Sequence, residues 1–259
     1  MKIAVAGGTG LVGAMVVEEL TGAGHEPVVL ARSRGIDVTT GVGLDDAMAG
    51  VDAVIDVSNI TTTRRRTSVA FFTDGTRNLL AAGQRAGIRH HVALSIVGVD
   101  RVDFGYYEGK RTQEKLVLGG PAPASVLRAT QFYEFPGQLL ARSRGPLTLM
   151  PRMRVQPVAA LEVAAALVAL AAGPAQGLAP ELAGPQEHQM VDLARRVVRA
   201  QGQPQGQRRR VVGIRIPGAA GRAMTGGGLL PTGPGPRGRL SFEQWLTAGT
   251  PQTRPGGRP

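Results

Sequence analysis

The stretch KIAVAGGTGLVG, residues 2–13, constrains this chain more than any other. A short apolar run leads into Gly7, Gly10 and Gly13 at three-residue spacing, and a helical pattern follows. In a strand–turn–helix of this kind the first glycine permits the tight turn. The second lets the backbone approach a pyrophosphate, and the third lets helix and strand pack closely. The spacing predicts that the N–H groups of Thr9, Gly10, Leu11 and Val12 face an anion at the helix N-terminus.

The rest of the first half alternates short apolar runs with longer helical patterns, which reads as repeated βα units around a parallel sheet. Strands are expected at 3–6, 27–31, 53–57, 91–95 and 125–128, with helices at 11–23, 44–49, 67–84 and 106–118. The fold class is α/β, a Rossmann-type doubly wound parallel sheet, whose ligands lie beyond the carboxyl ends of the strands. After Thr130 the pattern loosens. A helix at 130–141, a strand at 155–158 and helices at 161–172 and 190–200 suggest a small C-terminal substrate-side lobe. The expected division is 1–150 for a nucleotide-binding domain and 151–249 for the lobe, their core being shared, with a disordered tail at 250–259. Residues 201–239 hold 11 Gly and five Pro and are expected to be irregular, apart from a strand at 211–216; FEQWL, 242–246, reads as a docking helical turn.

Which nucleotide fits the cradle is read after the second strand, in VVLARSRG. A site for the unphosphorylated dinucleotide places a carboxylate there to accept from the ribose 2′-hydroxyl. This chain places Arg32, which can fork onto a 2′-phosphate, with Ser33 donating beside it. NADP(H) is therefore the expected cofactor. Arg34 is an assistant or a solvated surface arginine, and Asp37 and Val38 border the adenine or begin the next element.

Composition removes other classes. The chain of 259 residues has no cysteine, so disulfides, thiolate nucleophiles and cysteine metal sites are excluded. His25, His90, His91 and His188 make no spaced ligand set, and no metal is expected. The net charge of +11 rests on 27 arginines and three lysines, a bias that follows from a GC-rich genome. Arg64 to Arg66 and Arg208 to Arg210 lack interleaved aromatics, which argues against nucleic-acid binding. No apolar run is long enough for a membrane span, and the short apolar start does not read as a signal peptide, so a cytoplasmic protein is expected. Its partner is a small-molecule substrate; a monomer and a homo-oligomer both remain open.

The stretch FGYYEGKRTQEK, 104–115, carries the proton chemistry. Residues four apart on a helix share a face, so Tyr106 and Lys110 can address one ligand edge; Tyr107 is three residues from Lys110 and is not excluded. Hydride delivery to a carbonyl carbon leaves an alkoxide that needs a proton. A free tyrosine ionises near pH 10, and a neighbouring ammonium is expected to lower that value.

Taken together, AVAGGTGLVG, ARS, DVSN, HHVALSIVGVD, YYEGKRTQE and LRATQFYEF resemble the atypical short-chain dehydrogenase/reductases of the NmrA-like group, particularly those of actinobacteria. The resemblance covers roughly residues 1–200. It implies that Tyr106 is the catalytic tyrosine and that Lys110 also binds the nicotinamide ribose. It further implies that Val57, Ser58 and Asn59 run under the cofactor and that Ser95 lies near the nicotinamide. Many relatives carry a catalytic Ser or Thr two residues later, where this chain has Val97. Ser95 is then either a catalytic substitute or a cap on the strand end. Gln131, Phe132 and Tyr133 are candidate walls of the substrate pocket, with core packing the alternative for the aromatics.

These features point to an NADPH-dependent reductase of a carbonyl, quinone or enone in a small, apolar or aromatic molecule. Two other readings stay open: a non-catalytic NADP(H)-binding redox sensor of the NmrA type, and a cofactor-retaining epimerase or isomerase.

Overall fold

The computed structural model describes residues 1–143, 145–201 and 209–249. The expected tail at 250–259 and part of the irregular segment lie outside the described residues. The first half runs β1 (Lys2–Ala6), α1 (Leu11–Gly22), β2 (Glu26–Leu30), a 3₁₀ turn (Arg32–Arg34), α2 (Leu44–Met48), β3 (Ala53–Asp56), α3 (Arg65–Ala86), β4 (His90–Ile96), α4 (Gly105–Leu118) and β5 (Ala124–Ala129). The remainder runs α5 (Phe135–Arg142), β6 (Leu147–Pro151), β7 (Arg154–Val155), α6 (Ala160–Ala172), β8 (Gly177–Leu178), β9 (His188–Gln189), α7 (Met190–Ala200), β10 (Arg210–Ile214), α8 (Gly218–Thr225) and α9 (Phe242–Thr247).

The central sheet is six-stranded and wholly parallel, in the order β2-β1-β3-β4-β5-β8. Its middle strands are continuous apolar runs because both faces are covered. Side chains alternate between the two faces, and two cores result. Ile3, Val5, Ile55, Val92, Leu94 and Leu127 meet Val16 and Leu20 of α1 and Val163 and Leu167 of α6. Ala4, Leu30 and Val54 meet Leu44 and Met48 of α2 and Leu79 and Ala82 of α3 on the other side.

Register places the functional end. Ala6, the last residue of β1, pairs with Leu30 on one side and Asp56 on the other. Three strands therefore end together where the glycine turn begins. Helix α4 is held there by α3 at close range: a Cβ on Gly109 would come within 2.6 Å of Phe72 Cδ2. Any larger residue would push α4 off α3.

A further core lies around α7, whose Leu193, Ala194 and Val197 pack with Met150, Val155 and Val211. It is continuous with the first part of the chain, because Tyr107 from α4 enters it, while α6 and β8 pack back into the main domain. Helix α9 docks through Phe242 and Trp245, which gather around Tyr133. Its start is a capping box in which Ser241 Oγ accepts from Gln244 N–H and Gln244 Oε1 accepts from Ser241 N–H.

The structure corrects four expectations of the second half. Residues 130–134 are not helical: Thr130 N–H donates to Leu182 O and Phe132 bridges Val158. The helix starts at Phe135, because Pro136 suits a first helical turn and disfavours helix before it. The expected strand at 155–158 is the two-residue β7 followed by that single bridge. Segment 201–239 contains α8 besides β10. Strands β6, β8 and β9 were not expected, and the last two are only two residues each.

Candidate active site

The glycine turn is built by contacts within the chain at two of its three glycines. Gly7 has φ of 78°, and a Cβ there would stand 2.9 Å from Ser58 Cα and Val57 O. A Cβ on Gly13 would collide with Gly7 O and the Gly8 backbone. Gly10 differs. It is exposed, its φ of −76° suits any residue, and a Cβ would meet nothing nearer than Gly7 O at 3.2 Å. The chain demands glycine less strictly there than at Gly7 and Gly13, and the turn stays open to a group lying against it.

Gly10 N–H is not free as expected, since it donates to Gly7 O at 2.9 Å to close the turn. Among the described residues, the N–H groups of Thr9, Leu11 and Val12 meet no protein acceptor. They lie at the N-terminus of α1, where the helix dipole adds positive potential. Arg32 and Ser33 sit on the exposed turn after β2, whose end is tied to the cradle by Gly7 N–H donating to Leu30 O at 3.2 Å. Among the described residues neither side chain has a hydrogen-bond partner. Asp37 is occupied locally: its Oδ1 accepts from Thr39 N–H and Oγ–H, which holds its carboxyl below the usual range.

Beyond β3, Val57 and Ser58 are buried and Asn59 is exposed. Asn59 Oδ1 accepts from the Tyr106 phenol at 2.6 Å, so two of the expected site residues meet directly. The backbone under that tyrosine is fixed as well, because Ser68 Oγ donates to Tyr106 O at 2.8 Å. Tyr107 points away into the core around α7, 8% exposed and edge-on to Phe104.

The expected electrostatic coupling of the pair is corrected. The Tyr106 phenol is pushed up from its ordinary value by burial and then by Tyr107, not drawn down by Lys110. The reason is where the ammonium lies. Lys110 Nζ donates to Leu94 O and to Gln113 Oε1, both at 2.8 Å, and rests 4.5 Å above the centre of the Phe72 ring. Burial lowers its pKa to about 8 against the opposing pull of Asp56 and Glu114.

Ser95 is 2% exposed, and among the described residues its Oγ has no partner. Val97, at the place of the absent hydroxyl, is fully buried. After β5, both amide atoms of Gln131 are enclosed without a protein partner, and Phe132 packs partly against the main core. Tyr133 is not a free pocket wall: its ring is 1% exposed among Phe242 and Trp245, and its hydroxyl donates to Leu240 O at 2.7 Å. The partner that draws it inward comes from more than 100 residues downstream, which local sequence does not show.

Sequence reasoning missed Asp56 and Gln113, which link β3 to Lys110. The visible signals were a carboxylate closing an otherwise apolar strand and the i,i+3 spacing of Lys110 and Gln113.

Residues 3–100 match the NAD dependent epimerase/dehydratase family. A short-chain dehydrogenase/reductase superfamily protein from Agrobacterium tumefaciens with bound NAD has a TM-score of 0.68, at 20% identity over 96% of this chain and 95% of that one. The two share a fold, a Rossmann-like parallel sheet flanked by helices. A second similar structure, the Citrobacter sp. triphenylmethane reductase complexed with NADP(H), has a TM-score of 0.66 at 18% identity, covering 90% of this chain and 93% of that one. By sequence, the chain is 31% identical to a 3-beta-hydroxysteroid dehydrogenase of Mycolicibacterium neoaurum, in a match that covers 46% of this chain and 43% of that protein. The match thus spans less than half the length of that relative. Among the described residues no helix is long and apolar enough to cross a membrane.

Proposed function

We propose that this chain is an NADPH-dependent reductase of the atypical, NmrA-like kind. Its substrate is a carbonyl, quinone or enone of a small apolar or aromatic molecule. The observation that carries the proposal is the Tyr106 phenol, held by Asn59 beside the cradle of Gly7, Gly10 and Gly13. The bound nicotinamide supplies the hydride. What the protein adds is binding, orientation and a proton.

The unpartnered N–H groups of Thr9, Leu11 and Val12 take the pyrophosphate, and Arg32 with Ser33 takes the 2′-phosphate. Val57, Ser58 and Asn59 form the floor, and Lys110 holds the ribose. Tyr106 keeps its proton through neutral pH, the state a reduction needs, while burial makes the phenol a weaker acid than a free tyrosine. As the substrate oxygen gains charge, the phenol O–H bond breaks toward it; the phenolate left behind regains a proton from solvent. Ser95 and Gln131 are the enclosed polar groups available to orient the substrate oxygen.

A second reading has its own support. Val97 replaces the usual hydroxyl and Ser95 is enclosed, an arrangement that suits a protein that binds NADP(H) as a signal without turnover. Purified protein with NADPH and a panel of ketones, quinones and enones separates the two. Substrate-dependent loss of NADPH absorbance supports the reductase; tight NADPH binding with no turnover on any member supports the sensor.

A further inference from the structure

Lys110 ends a hydrogen-bonded chain that begins at the cradle. Asp56 pairs in register with Ala6, the residue before Gly7. Its Oδ1 accepts from Ser58 N–H at 2.9 Å and its Oδ2 accepts from Gln113 Nε2 at 2.8 Å. Gln113 Oε1 in turn accepts from Lys110 Nζ at 2.8 Å, and a second ammonium proton goes to Leu94 O. Asp56, Gln113 and Lys110 are 0%, 1% and 4% exposed.

A buried carboxylate and a buried ammonium are costly, and apolar residues of the same volume would serve stability as well or better. The amide between them settles direction. A carboxylate only accepts and an ammonium only donates, so the Gln113 amide is locked with nitrogen toward Asp56 and oxygen toward Lys110. An ammonium has three protons, and two are committed. Among the described residues the third meets no acceptor.

We propose that Asp56 and Gln113 are positioning residues that hold the Lys110 ammonium with one N–H uncommitted, aimed for a ribose hydroxyl of the bound nucleotide. This rests on the reading of Lys110 as a cofactor-binding residue. The charged groups that face Lys110 are Asp56 from β3 and Glu114 from α4, both of which support its charge; His91 of β4 faces Asp56.

The chain has only three lysines, so Lys110 can be followed directly. Full-length protein labelled at the lysine ε-carbon is titrated by NMR, the Lys110 signal being the one absent in Lys110→Met. NADPH affinity is measured in parallel by calorimetry. Gln113→Leu removes the acceptor, so the Lys110 midpoint falls and NADPH binds about tenfold more weakly. Gln113→Glu, sharing one proton with Asp56, can keep both contacts and restores both readouts. Should Gln113→Leu fail to fold, Asp56→Asn gives the same test, with the midpoint again lower. If Lys110→Met weakens NADPH about tenfold while Gln113→Leu changes neither midpoint nor affinity, the positioning role is overturned and the cofactor role of Lys110 stands. If Lys110→Met binds NADPH like the wild type, the cofactor role itself fails, and the positioning role with it.

Discussion

The Tyr106 phenol donates to Asn59 Oδ1 at 2.6 Å, tying the first turn of α4 to the loop that leaves β3 beside the glycine turn. In the proposed reductase, Asn59 sets the angle from which the phenol addresses a substrate. Tyr106→Phe is expected to lower kcat by roughly 10²-fold or more, the share of a positioned acid. Asn59→Ala loses the orienting contact alone and is expected to lower kcat by about tenfold. The two act as a unit, so the double variant loses no more than Tyr106→Phe. Steady-state kinetics on the four proteins checks this, and losses that multiply would separate the two residues.

Arg32 stands exposed beside the cradle, and among the described residues it has no ion-pair partner. Arg32→Asp replaces a fork for the 2′-phosphate with a repelling carboxylate. NADPH affinity is expected to fall by about 10²-fold and NADH affinity by less than about threefold. Calorimetric titration with both nucleotides decides it; equal losses would remove Arg32 from the 2′-phosphate.

Buried titratable groups give the protein a distinctive pH dependence of stability. His91 is held below its ordinary 6.5 by burial, so the unfolded chain binds the extra proton in acid and stability is lost as pH falls below 6.5. Lys110 ionises at about 8 in the folded chain and 10.5 ordinarily. Across that window the unfolded chain holds a proton the folded chain has released, and stability rises with pH. Tyr106, Tyr107 and Tyr133 are all pushed above their ordinary 10.0, so above that pH the unfolded chain gives up protons the folded chain keeps, and stability falls. The thermal unfolding midpoint is therefore expected to peak between about pH 9 and 10. A midpoint that declines steadily from pH 8 would contradict the burial of Lys110.

Tyr133 closes a packing contact between the loop after β5 and the segment before α9. Tyr133→Phe keeps the ring and loses one hydrogen bond, so about 1 kcal/mol of stability is expected to go. NADPH affinity and turnover should be unchanged. A change in substrate KM without a change in denaturant midpoint would return Tyr133 to the pocket.

The sheet and its cradle were legible in the sequence because the first half states them locally. Each strand from β1 to β5 is a short apolar run followed by a turn or helix, and Gly7, Gly10 and Gly13 carry their spacing openly. What was hidden depends on residues far apart in the chain. Lys110 on α4 finds Leu94 O on β4, and Tyr133 finds Leu240 O; neither partner is marked by residue type, because any residue offers a carbonyl. Strands β8 and β9 are too short to show a period of two, and α8 lies in a Gly- and Pro-rich segment whose composition argues against a helix. Pro136, like Asp56 and the spacing of Lys110 and Gln113, was an overlooked local signal, since it marks the start of α5.

The most direct test of nucleotide binding uses the difference between two glycines. Gly13→Ala forces a methyl into Gly7 O and should cost about 1–3 kcal/mol of stability, whatever the turn binds. Gly10→Ala brings its methyl within 3.2 Å of Gly7 O, a contact relieved by a shift of a few tenths of an ångström, and on the proposed reading the methyl also stands against the pyrophosphate. Calorimetric titration of Gly10→Ala with NADPH should show affinity at least about tenfold weaker than wild type, with thermal stability reduced by no more than about 1 kcal/mol. Wild-type affinity in Gly10→Ala would contradict the assignment of this turn as the phosphate cradle, and with it the reductase.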